Sequence, residues 1–322
     1  MCDILTLIIL MKKVLVIGSE IMELVSFHEY PIKNVLDILL KDRTTNKNIV
    51  FATNDYIDND INAKTQITID LLKKSSKIKI EPRVQKSVER QENRTKKNAE
   101  VFTPSWICNK MNNHCDSEWF GREDVFNTEE GQQWRIIESK IVFPKEKTWK
   151  DYVKSKRLEI TCGEAPYIVS RYDTSTGKVI PIQDRIGILD RKLRIINEHT
   201  KTEKTWFEWA KKAYQSVYGY EFQGDNLLIA RVNLLNTFVE YCKDRWDRTP
   251  TDKELRTISD IISWNFWQMD GINGNTPCGI PQEDANQINI LDLYDTVPKE
   301  INCKIFDWDA KEIISYKSLK GE

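Results

Sequence analysis

The 322-residue sequence predicts an α/β fold: a mostly parallel sheet with crossover helices, preceded by an α+β leader segment. Short apolar, strand-like runs alternate with amphipathic helical patterns between residues 158 and 306, and this alternation is typical of a parallel sheet. Hydrophobic residues make up 40% of the chain and charged residues 30%, which is the composition of a globular protein rather than a disordered or fibrous one.

The chain opens with two apolar runs, residues 5–11 and 14–17, that are separated by two lysines. Neither run approaches the ~20 residues that a membrane span needs. A signal peptide is also excluded, because no basic region precedes the apolar one. We expect no membrane association and interpret residues 1–21 as an upstream extension of a protein that begins near Met22; an ordinary edge strand is the alternative.

Residues 22–99 form a predicted leader region to which no chemistry can be attached. Helical patterns cover residues 32–40 and 65–74, and a strand-like run covers residues 48–52. Residues 85–99 are highly charged and predict either a helix or a mobile arm.

From residue 100 to residue 322 the pattern is that of one α/β domain. Thr103-Pro104 has the composition of a helix start. Strands are predicted at residues 158–161, 217–222 and 302–306, and helices at residues 167–172, 180–204, 206–214, 225–244 and 251–267.

Charge is unevenly distributed along the chain. The formal net charge is -1, but residues 61–110 carry twelve Lys and Arg against five Asp and Glu. Such a segment can follow a phosphate backbone, and it is equally typical of a solvated helix face with a lysine bias.

The cysteines favour a reducing compartment. There are seven of them, an odd number without a CxxC pair, so a reduced cytoplasmic chain fits best. Cys108, His114 and Cys115 are the nearest approach to a metal cluster, but they lack a fourth ligand at zinc spacing, and we expect no metal.

Three acids follow predicted strands at positions where α/β sheets bind ligands. Residues 158–167 read as a strand, a turn of small residues and a helix start, whose backbone N–H groups can bind polar ligand groups. Glu221 ends the next strand, where doubly wound folds place an acid that accepts hydrogen bonds from ribose hydroxyls. Asp307, beside Trp308, ends the predicted last strand. The three together indicate a site at the carboxyl edge of the sheet.

These segments resemble the motifs of the γ-class N6-adenine DNA methyltransferases, which include the methyltransferase subunits of restriction–modification systems. Residues 100–107, Glu-Val-Phe-Thr-Pro-Ser-Trp-Ile, are similar to the opening motif. Residues 158–167 look like the first cofactor motif, residues 218–221 like the second, and Phe306-Asp307 like the third. The resemblance runs from about residue 100 to the C-terminus. It implies a Rossmann-like class I sheet of the S-adenosylmethionine-dependent methyltransferases.

The resemblance implies S-adenosylmethionine as cofactor and double-stranded DNA as partner. Thr103, followed by Pro104, would hydrogen-bond the methionine carboxylate of the cofactor. Glu159 would face the methionine amino group, with the backbone of Cys162-Gly163 close to it.

The remaining implied roles concern the nucleoside. Glu221 would hold the ribose, Asp307 would contact the adenine N6 amine, and Phe306 or Trp308 would flank the adenine ring. One departure lies in the turn itself, where Ala165 replaces the second glycine of the family motif.

Residues 173–204 lengthen the connection between the first and second motifs and look inserted. Their basic side chains, Arg185, Arg191, Lys192 and Arg194, could contact DNA or cover the sheet. We favour the covering role.

The family's catalytic motif, Asn/Asp-Pro-Pro-Tyr/Phe, does not occur in the sequence. In the family it holds the amine of an extruded adenine while its aromatic ring stacks on the base. No catalytic residue is therefore assigned. We expect the cofactor-binding portion of a site-specific DNA adenine-N6 methyltransferase, with a sheet incomplete at its C-terminal side. It would be inactive alone or completed by a second chain that carries the catalytic motif and a target-recognition domain.

Two alternatives belong to other functional classes. The first is a non-catalytic cofactor- or DNA-binding regulatory protein, or a remnant, that keeps the fold and does no chemistry. The second is a nuclease, for which the scattered acids and lysines of residues 23–99, such as Asp58, Asp60, Glu81 and Lys86, form no convincing metal-binding pattern.

Overall fold

The computed structural model describes residues 24–279 and 301–320, apart from residues 57, 58, 60, 74–77, 99, 101 and 102. The predicted extension at residues 1–21 and the motif residues Val101 and Phe102 lie outside this part of the chain. The helices are α1 (Leu36–Leu39), α2 (Val88–Asn98), α3 (Ser105–Phe120), α4 (Trp149–Lys154), α5 (Ile188–His199), α6 (Glu203–Gln215), α7 (Gly224–Trp246) and α8 (Asp252–Asn265). The strands are β1 (Asn127–Glu130), β2 (Gln133–Ile136), β3 (Arg157–Glu159), β4 (Val217–Glu221), β5 (Phe266–Gln268), β6 (Lys304–Asp307) and β7 (Glu312–Ser315).

A parallel sheet of three strands organises the fold, in the order β3-β4-β5. Leu158 pairs with Tyr218, and Gly219 pairs with Phe266. Helices α5 and α6 cross from β3 to β4, and α7 and α8 cross from β4 to β5. The chain is therefore a mixed α/β protein with a parallel sheet and crossover helices, as the alternation of patterns predicted.

The two faces of the sheet have different covers. Val217 and Phe266 point into the main hydrophobic core, which the crossover helices fill. Gly219 sits between them, and a Cβ there would lie 2.6 Å from the Phe266 ring, so glycine is required for close packing. On the opposite face Tyr220 and Trp267 pack against the antiparallel hairpin β6–β7 and form a second, smaller cluster.

Helix α7 is the central element of the core. It has 23 residues and begins directly after β4, and it ends at Asp247, which adopts a left-handed conformation with φ of 49°. Leu227, Leu234 and Phe238 are fully buried on it. Among the described residues, no helix combines the length and the apolar character needed to cross a lipid bilayer.

The leader segment packs into the same hydrophobic core as the sheet. Leu39 and Phe51 are fully buried members of that core. Val50 exchanges two hydrogen bonds with the side chain of Gln268 at the end of β5, of 2.9 and 2.8 Å. The N–H of Gly224, at the start of α7, donates to Phe51 O over 3.0 Å. The leader thus borders the carboxyl edge of the sheet.

Several predicted elements of the leader and turn regions are wrong in detail. Residues 65–73 form turns rather than the predicted helix, and residues 48–52 contribute only isolated bridges instead of a strand. Residues 167–172 contain a turn and an isolated bridge at Tyr172 but no helix, so the next α-helix after β3 is α5. Residues 85–99, predicted as a helix or an arm, contain helix α2.

The most consequential difference concerns the third strand of the sheet. Helix α8 was predicted to run to residue 267, but it ends at Asn265 and the chain continues as β5. Apolar residues recur at helical spacing from α8 through Phe266, so helical periodicity alone conceals the change. Asn265 is a weak helix former, whereas Phe and Trp are typical strand residues. This boundary decides which acids lie at the carboxyl edge.

Candidate functional site

A cleft of about 980 Å³ opens at the carboxyl ends of β3 and β4. One wall is the turn that follows β3, another is the turn between β4 and α7, and the third is the middle of α3 with residues that precede this helix. The lining residues include Glu100, Thr103, Met111, Leu158, Glu159, Cys162, Gly163, Tyr167, Glu221, Phe222, Gln223 and Asn226. The site therefore lies where α/β sheets commonly bind ligands.

The turn after β3 has an unusual backbone. Thr161, Gly163 and Ala165 all have positive φ, of 47°, 52° and 63°. The turn is fastened to β4, because the N–H of Cys162 donates to Tyr220 O over 2.9 Å. A left-handed alanine costs roughly 1–2 kcal/mol relative to a relaxed conformation. The Ala165 side chain is fully buried and does not line the cleft, so its methyl group leaves the ligand space open.

Glu159 ends β3 and is almost completely buried in the cleft wall. Burial raises the pKa of its carboxyl well above the ordinary value, the nearby charge of Glu221 adds to the rise, and backbone N–H groups oppose it. The N–H of Tyr167 donates to Oε1 over 3.4 Å, whereas Oε2 is buried without a hydrogen-bond partner. An acceptor in this state is ready for a cationic or donor-rich ligand.

Glu221 ends β4 and is built into the adjoining turns. Its Oε2 accepts from the N–H of Gly163 over 2.8 Å, and its Oε1 accepts from the N–H groups of Phe222 and Gln223 over 3.1 Å each. Burial raises the pKa of this carboxyl, against the lowering effect of the backbone donors. Glu159 and Glu221 thus face the same cleft from neighbouring strands, with Gly163 between them, as the sequence predicted.

Thr103, two residues before α3, also lines the cleft, and its carbonyl accepts from Thr174 Oγ1 over 3.1 Å. Pro104 precedes the first residue of α3 with extended backbone angles, and the N–H of Ser105 donates to Asp173 Oδ2 over 2.7 Å. Cys162 and Gly163 also line the cleft, whereas Pro104 does not. Five of the nine predicted cofactor residues therefore meet in one cleft: Thr103, Glu159, Cys162, Gly163 and Glu221.

Phe306, Asp307 and Trp308 do not belong to this site, which corrects the prediction. Phe306 and Asp307 end β6 and Trp308 follows it; β6 pairs antiparallel with β7 and not with the parallel sheet. Trp308 Nε1 donates over 2.7 Å to Asn265, the residue that precedes β5. The segment therefore lies at the amino end of that strand, away from the cleft at the carboxyl ends.

The carboxylate of Asp307 has a structural role in the β6–β7 turn, which accounts for an acid at this position without a ligand. Its Oδ1 accepts from the N–H groups of Asp309 and Ala310 over 2.8 and 3.0 Å, which closes the β6–β7 turn. These backbone donors lower the pKa of the Asp307 carboxyl. The neighbouring Asp309 pairs with Lys156, just before β3, over 3.1 Å. An acid after a strand-like run is thus a turn cap here.

The acid that follows the true third strand is Asp270. Its Oδ1 accepts from the N–H of Ile272 over 2.9 Å, and its Oδ2 accepts from Asn273 Nδ2 over 2.9 Å. It therefore orders the loop after β5 and is not among the residues that line the cleft. The one signal that could have identified it is the strand propensity of Phe266-Trp267.

The basic residues of the inserted segment bind partners within the protein. Arg191 is buried and pairs with Asp116 over 2.5 Å, and the buried Lys192 donates to Ser155 O over 2.5 Å. Burial lowers the pKa of the Lys192 ammonium well below its ordinary value. Arg185, just before α5, pairs with Glu240 of α7 over 2.6 Å, and Arg194 of α5 donates to Ser139 O over 3.2 Å. These side chains hold α5 against the rest of the protein, which is the covering role.

The sequence did not single out the polar residues on the β4 side of the cleft. Glu100, Gln223 and Asn226 line this wall and are buried, and Arg94 of α2 binds to it from behind. Glu100 belongs to the opening motif, but no role was assigned to it there. Gln223 and Asn226 carry no pattern of their own, because their role depends on the leader segment that folds against them.

Cys108 and His114, two of the candidate metal residues, lie in different surroundings. Cys108 is buried, and His114 faces Glu118 over 3.6 Å on the exposed side of α3. Within the described ranges, no group of three His, Cys, Asp or Glu side chains is placed to hold a metal ion.

Comparisons of the chain with models of protein families, with curated proteins and with solved structures find no match.

Proposed function

We propose that this chain binds S-adenosylmethionine in the cleft and is the cofactor-binding part of a DNA adenine-N6 methyltransferase of a restriction–modification system. The three-stranded sheet would then be part of a Rossmann-like class I methyltransferase sheet. The observation that carries the proposal is the pair of buried acids, Glu159 and Glu221, that face one cleft from adjacent parallel strands across Gly163. The free cysteines of the described chain agree with a cytoplasmic protein.

The chemistry of the cleft fits this cofactor. S-adenosylmethionine supplies an activated methyl group on a positively charged sulfur, together with an ammonium group and two ribose hydroxyls. Glu159, with its unpaired Oε2, would bind the ammonium, and ionisation of this carboxyl would be favoured once the cation is in place. Glu221 would accept from the ribose while the backbone donors of its turn hold it in position.

The rest of the cleft suits the remaining parts of the molecule. Phe222 is 41% exposed and provides an apolar surface for a flat ring beside Glu221. Thr103, two residues before α3, has a hydroxyl that could donate to a carboxylate. The cleft would thus orient the cofactor and exclude water from the sulfonium end, which is the contribution of the protein to methyl transfer.

We propose methyl transfer to adenine only for a complex in which a second chain supplies the missing motif. The sequence contains no Asn/Asp-Pro-Pro-aromatic tetrapeptide, which is the motif that holds the adenine amine in the family. We therefore expect cofactor binding without DNA methylation by this chain alone. A partner chain that restores methylation would support the split enzyme, whereas cofactor binding without such a partner favours the non-catalytic binding protein.

Calorimetric titration of the purified 322-residue chain with S-adenosylmethionine tests the proposal. We expect saturable binding that Glu159→Gln weakens by roughly 10-fold or more, because a charge-assisted hydrogen bond is lost. Glu208→Gln is the matched control, since Glu208 is an exposed residue of α6 remote from the cleft. ATP, which has the adenosine but a triphosphate in place of the cationic chain, should bind poorly to this acidic cleft. No heat from a folded wild-type chain would refute the proposal.

A further inference from the structure

Asn226 is a buried polar residue in the first turn of α7 that lines the cleft. Its Nδ2 donates to Glu100 Oε2 over 3.0 Å and to Gln223 Oε1 over 3.2 Å. Both partners are oxygen atoms that accept hydrogen bonds, so the amide has to present its nitrogen to them. Oδ1 is therefore left on the other side of the group, and it is buried without a hydrogen-bond partner in the described structure.

Arg94 of α2 fixes both partners of this amide. Its Nε donates to Glu100 Oε2 over 2.5 Å, and its Nη2 donates to Gln223 Oε1. Its Nη1 also donates to Asp225 Oδ2 over 2.6 Å, which ties the guanidinium to the residue before Asn226. Each acceptor atom thus serves Arg94 and Asn226 at once. The planar fork of the guanidinium sets the orientation of the asparagine through them.

The charge of the surroundings favours a donor at this point. Three carboxylates, those of Asp55, Glu100 and Asp225, meet two buried cations, Arg94 and Lys86. Lys86 Nζ lies 4.0 Å from Glu100 Oε1 and 3.8 Å from Asp225 Oδ2, so its charge is directed to carboxylates. The cluster keeps an excess of one negative charge, and hydrogen-bond donors of a ligand are attracted to such a wall.

An unpaired acceptor is costly inside a protein unless something else uses it. Buried amide oxygens are almost always hydrogen-bonded, and the exceptions mark places where a ligand or an ordered water binds. Asn226 lies on the β4 side of the cleft, next to Gln223 and close in sequence to Glu221, whereas Glu159 occupies the β3 side. The donor that Asn226 would meet is therefore the one that lies near Glu221.

We propose that Asn226 is a further ligand-binding residue, whose Oδ1 accepts a hydrogen bond from a ribose hydroxyl of the adenosyl ligand, and that Arg94 is its positioning residue. The assignment rests on the adenosyl cofactor proposed above. It gives the basic leader segment a role in the cleft: Arg94 organises the acceptors of a small-molecule site.

The test compares ligands that differ by a single hydroxyl. S-adenosylhomocysteine and its 2′-deoxy and 3′-deoxy ribose analogues are titrated by calorimetry into the full-length wild type and Asn226→Leu. Loss of one neutral hydrogen bond should weaken S-adenosylhomocysteine binding about 10-fold. For one of the two deoxy analogues, the wild type and the variant should bind equally well, because the donor is already absent.

Two results would overturn the assignment. The first is unchanged affinity of Asn226→Leu for S-adenosylhomocysteine. The second is an equal loss for all three ligands, which would mean a general distortion of the cleft. Asn233→Leu is the matched control, since Asn233 lies two turns further along α7 and binds Glu164 O and Tyr172 instead of lining the cleft. Asn226→Ser, which is smaller and keeps a donor for Glu100, replaces the leucine variant if that variant does not fold.

The role of Arg94 is tested by coupling. Arg94→Lys keeps the charge but loses the fork, so it should weaken ligand binding in the wild-type background. It should add nothing further in the Asn226→Leu background, because the two residues act through one hydrogen bond. Additive losses would contradict a positioning role. A wild type that binds no adenosyl ligand refutes the proposed function as a whole. Wild-type binding that depends on Glu159 but not on Asn226 refutes this assignment alone.

Discussion

At the scale of single residues, we expect Glu159 to lower the stability of the fold at neutral pH while it contributes to ligand binding. A carboxyl whose pKa is raised by burial is proton-rich in the folded state, so folding becomes less favourable as pH rises from about 4.3 toward the raised value. Glu159→Gln removes this dependence because glutamine keeps the acceptor for Tyr167 and carries no charge. We expect the stability of the variant relative to the wild type to increase between pH 5 and pH 8.

Denaturant unfolding at the two pH values measures this difference. Glu208→Gln, at an exposed position of α6, should shift stability equally little at both. A gap between Glu159→Gln and the wild type that stays constant or reverses with rising pH would contradict the assignment of a strained, buried carboxyl. The same variant is expected to lose ligand affinity, so greater stability with weaker binding would be typical of a site under selection for function.

The residues of the site differ in how far the sequence could predict them. Glu159, Gly163 and Glu221 follow strands whose alternation is clear, and the structure brings them together. Asp307 also follows a strand-like run, but the direction of that strand and its partner are tertiary facts that no local pattern contains. Asn226 had no signal, because its unpaired oxygen results from the leader segment that binds its nitrogen.

At the scale of elements, the buried side chain of Arg94 anchors helix α2 to the rest of the protein. Arg94 is fully enclosed and binds Glu100, Gln223 and Asp225. Burial acts to raise the pKa of the Asp225 carboxyl, but the charge of Arg94 outweighs it and holds this pKa well below its usual range. If the guanidinium were removed, the carboxylates of Asp55, Glu100 and Asp225 would be left with only one buried cation of this cluster, Lys86.

Arg94→Met should therefore destabilise the protein by about 3–5 kcal/mol at pH 7, the usual cost of breaking a buried ion pair on one side. The stability that Asp225 contributes in the wild type is present above its unfolded pKa of about 3.9 and is lost as pH falls through its lower folded pKa. The deficit of the variant should therefore narrow below about pH 4. Urea titrations between pH 3 and pH 7 measure this trend.

Lys96→Met provides the comparison for an exposed pair in the same helix. Lys96 lies 3.8 Å from Glu92, both side chains are largely exposed, and such pairs contribute below about 1 kcal/mol. Equal losses for Arg94→Met and Lys96→Met would contradict the account of α2. Sequence reasoning predicted this segment as a helix or a mobile arm, since eleven residues of mostly polar character show no reason to pack. Its attachment depends on Arg94 meeting acids that are distant in sequence.

At the scale of the whole molecule, the leader and the α/β segment share one core. The sequence predicted a boundary at residues 99 and 100, where the composition changes. Leu39 and Phe51 are nevertheless buried in the same cluster as α7 and α8. Arg231 of α7 connects the leader directly to the parallel sheet. It is fully buried, and Nη1 donates to Leu39 O over 2.5 Å while Nε donates to Phe266 O over 2.8 Å.

Arg231 has no buried acid within hydrogen-bond reach among its described contacts; its guanidinium is satisfied by backbone carbonyls from the leader, from α8 and from β5. Burial lowers the pKa of this group, and the carbonyl acceptors keep the charged form tolerable inside the core. Removal of the leader would take away the carbonyls of Leu39 and Lys41 and expose the apolar face of α8. Both changes act on the centre of the fold.

We therefore expect the chain to unfold in one cooperative transition, with tryptophan fluorescence and far-UV circular dichroism giving the same midpoint. A variant that begins at Glu100 should lose this transition and bind a hydrophobic dye, as loosely packed states do. A variant that begins at Met22 keeps every described residue and should retain the transition. Independent cooperative folding of the Glu100 variant would show that the leader is a separate unit, and Arg94 could then not hold the cleft through a shared core.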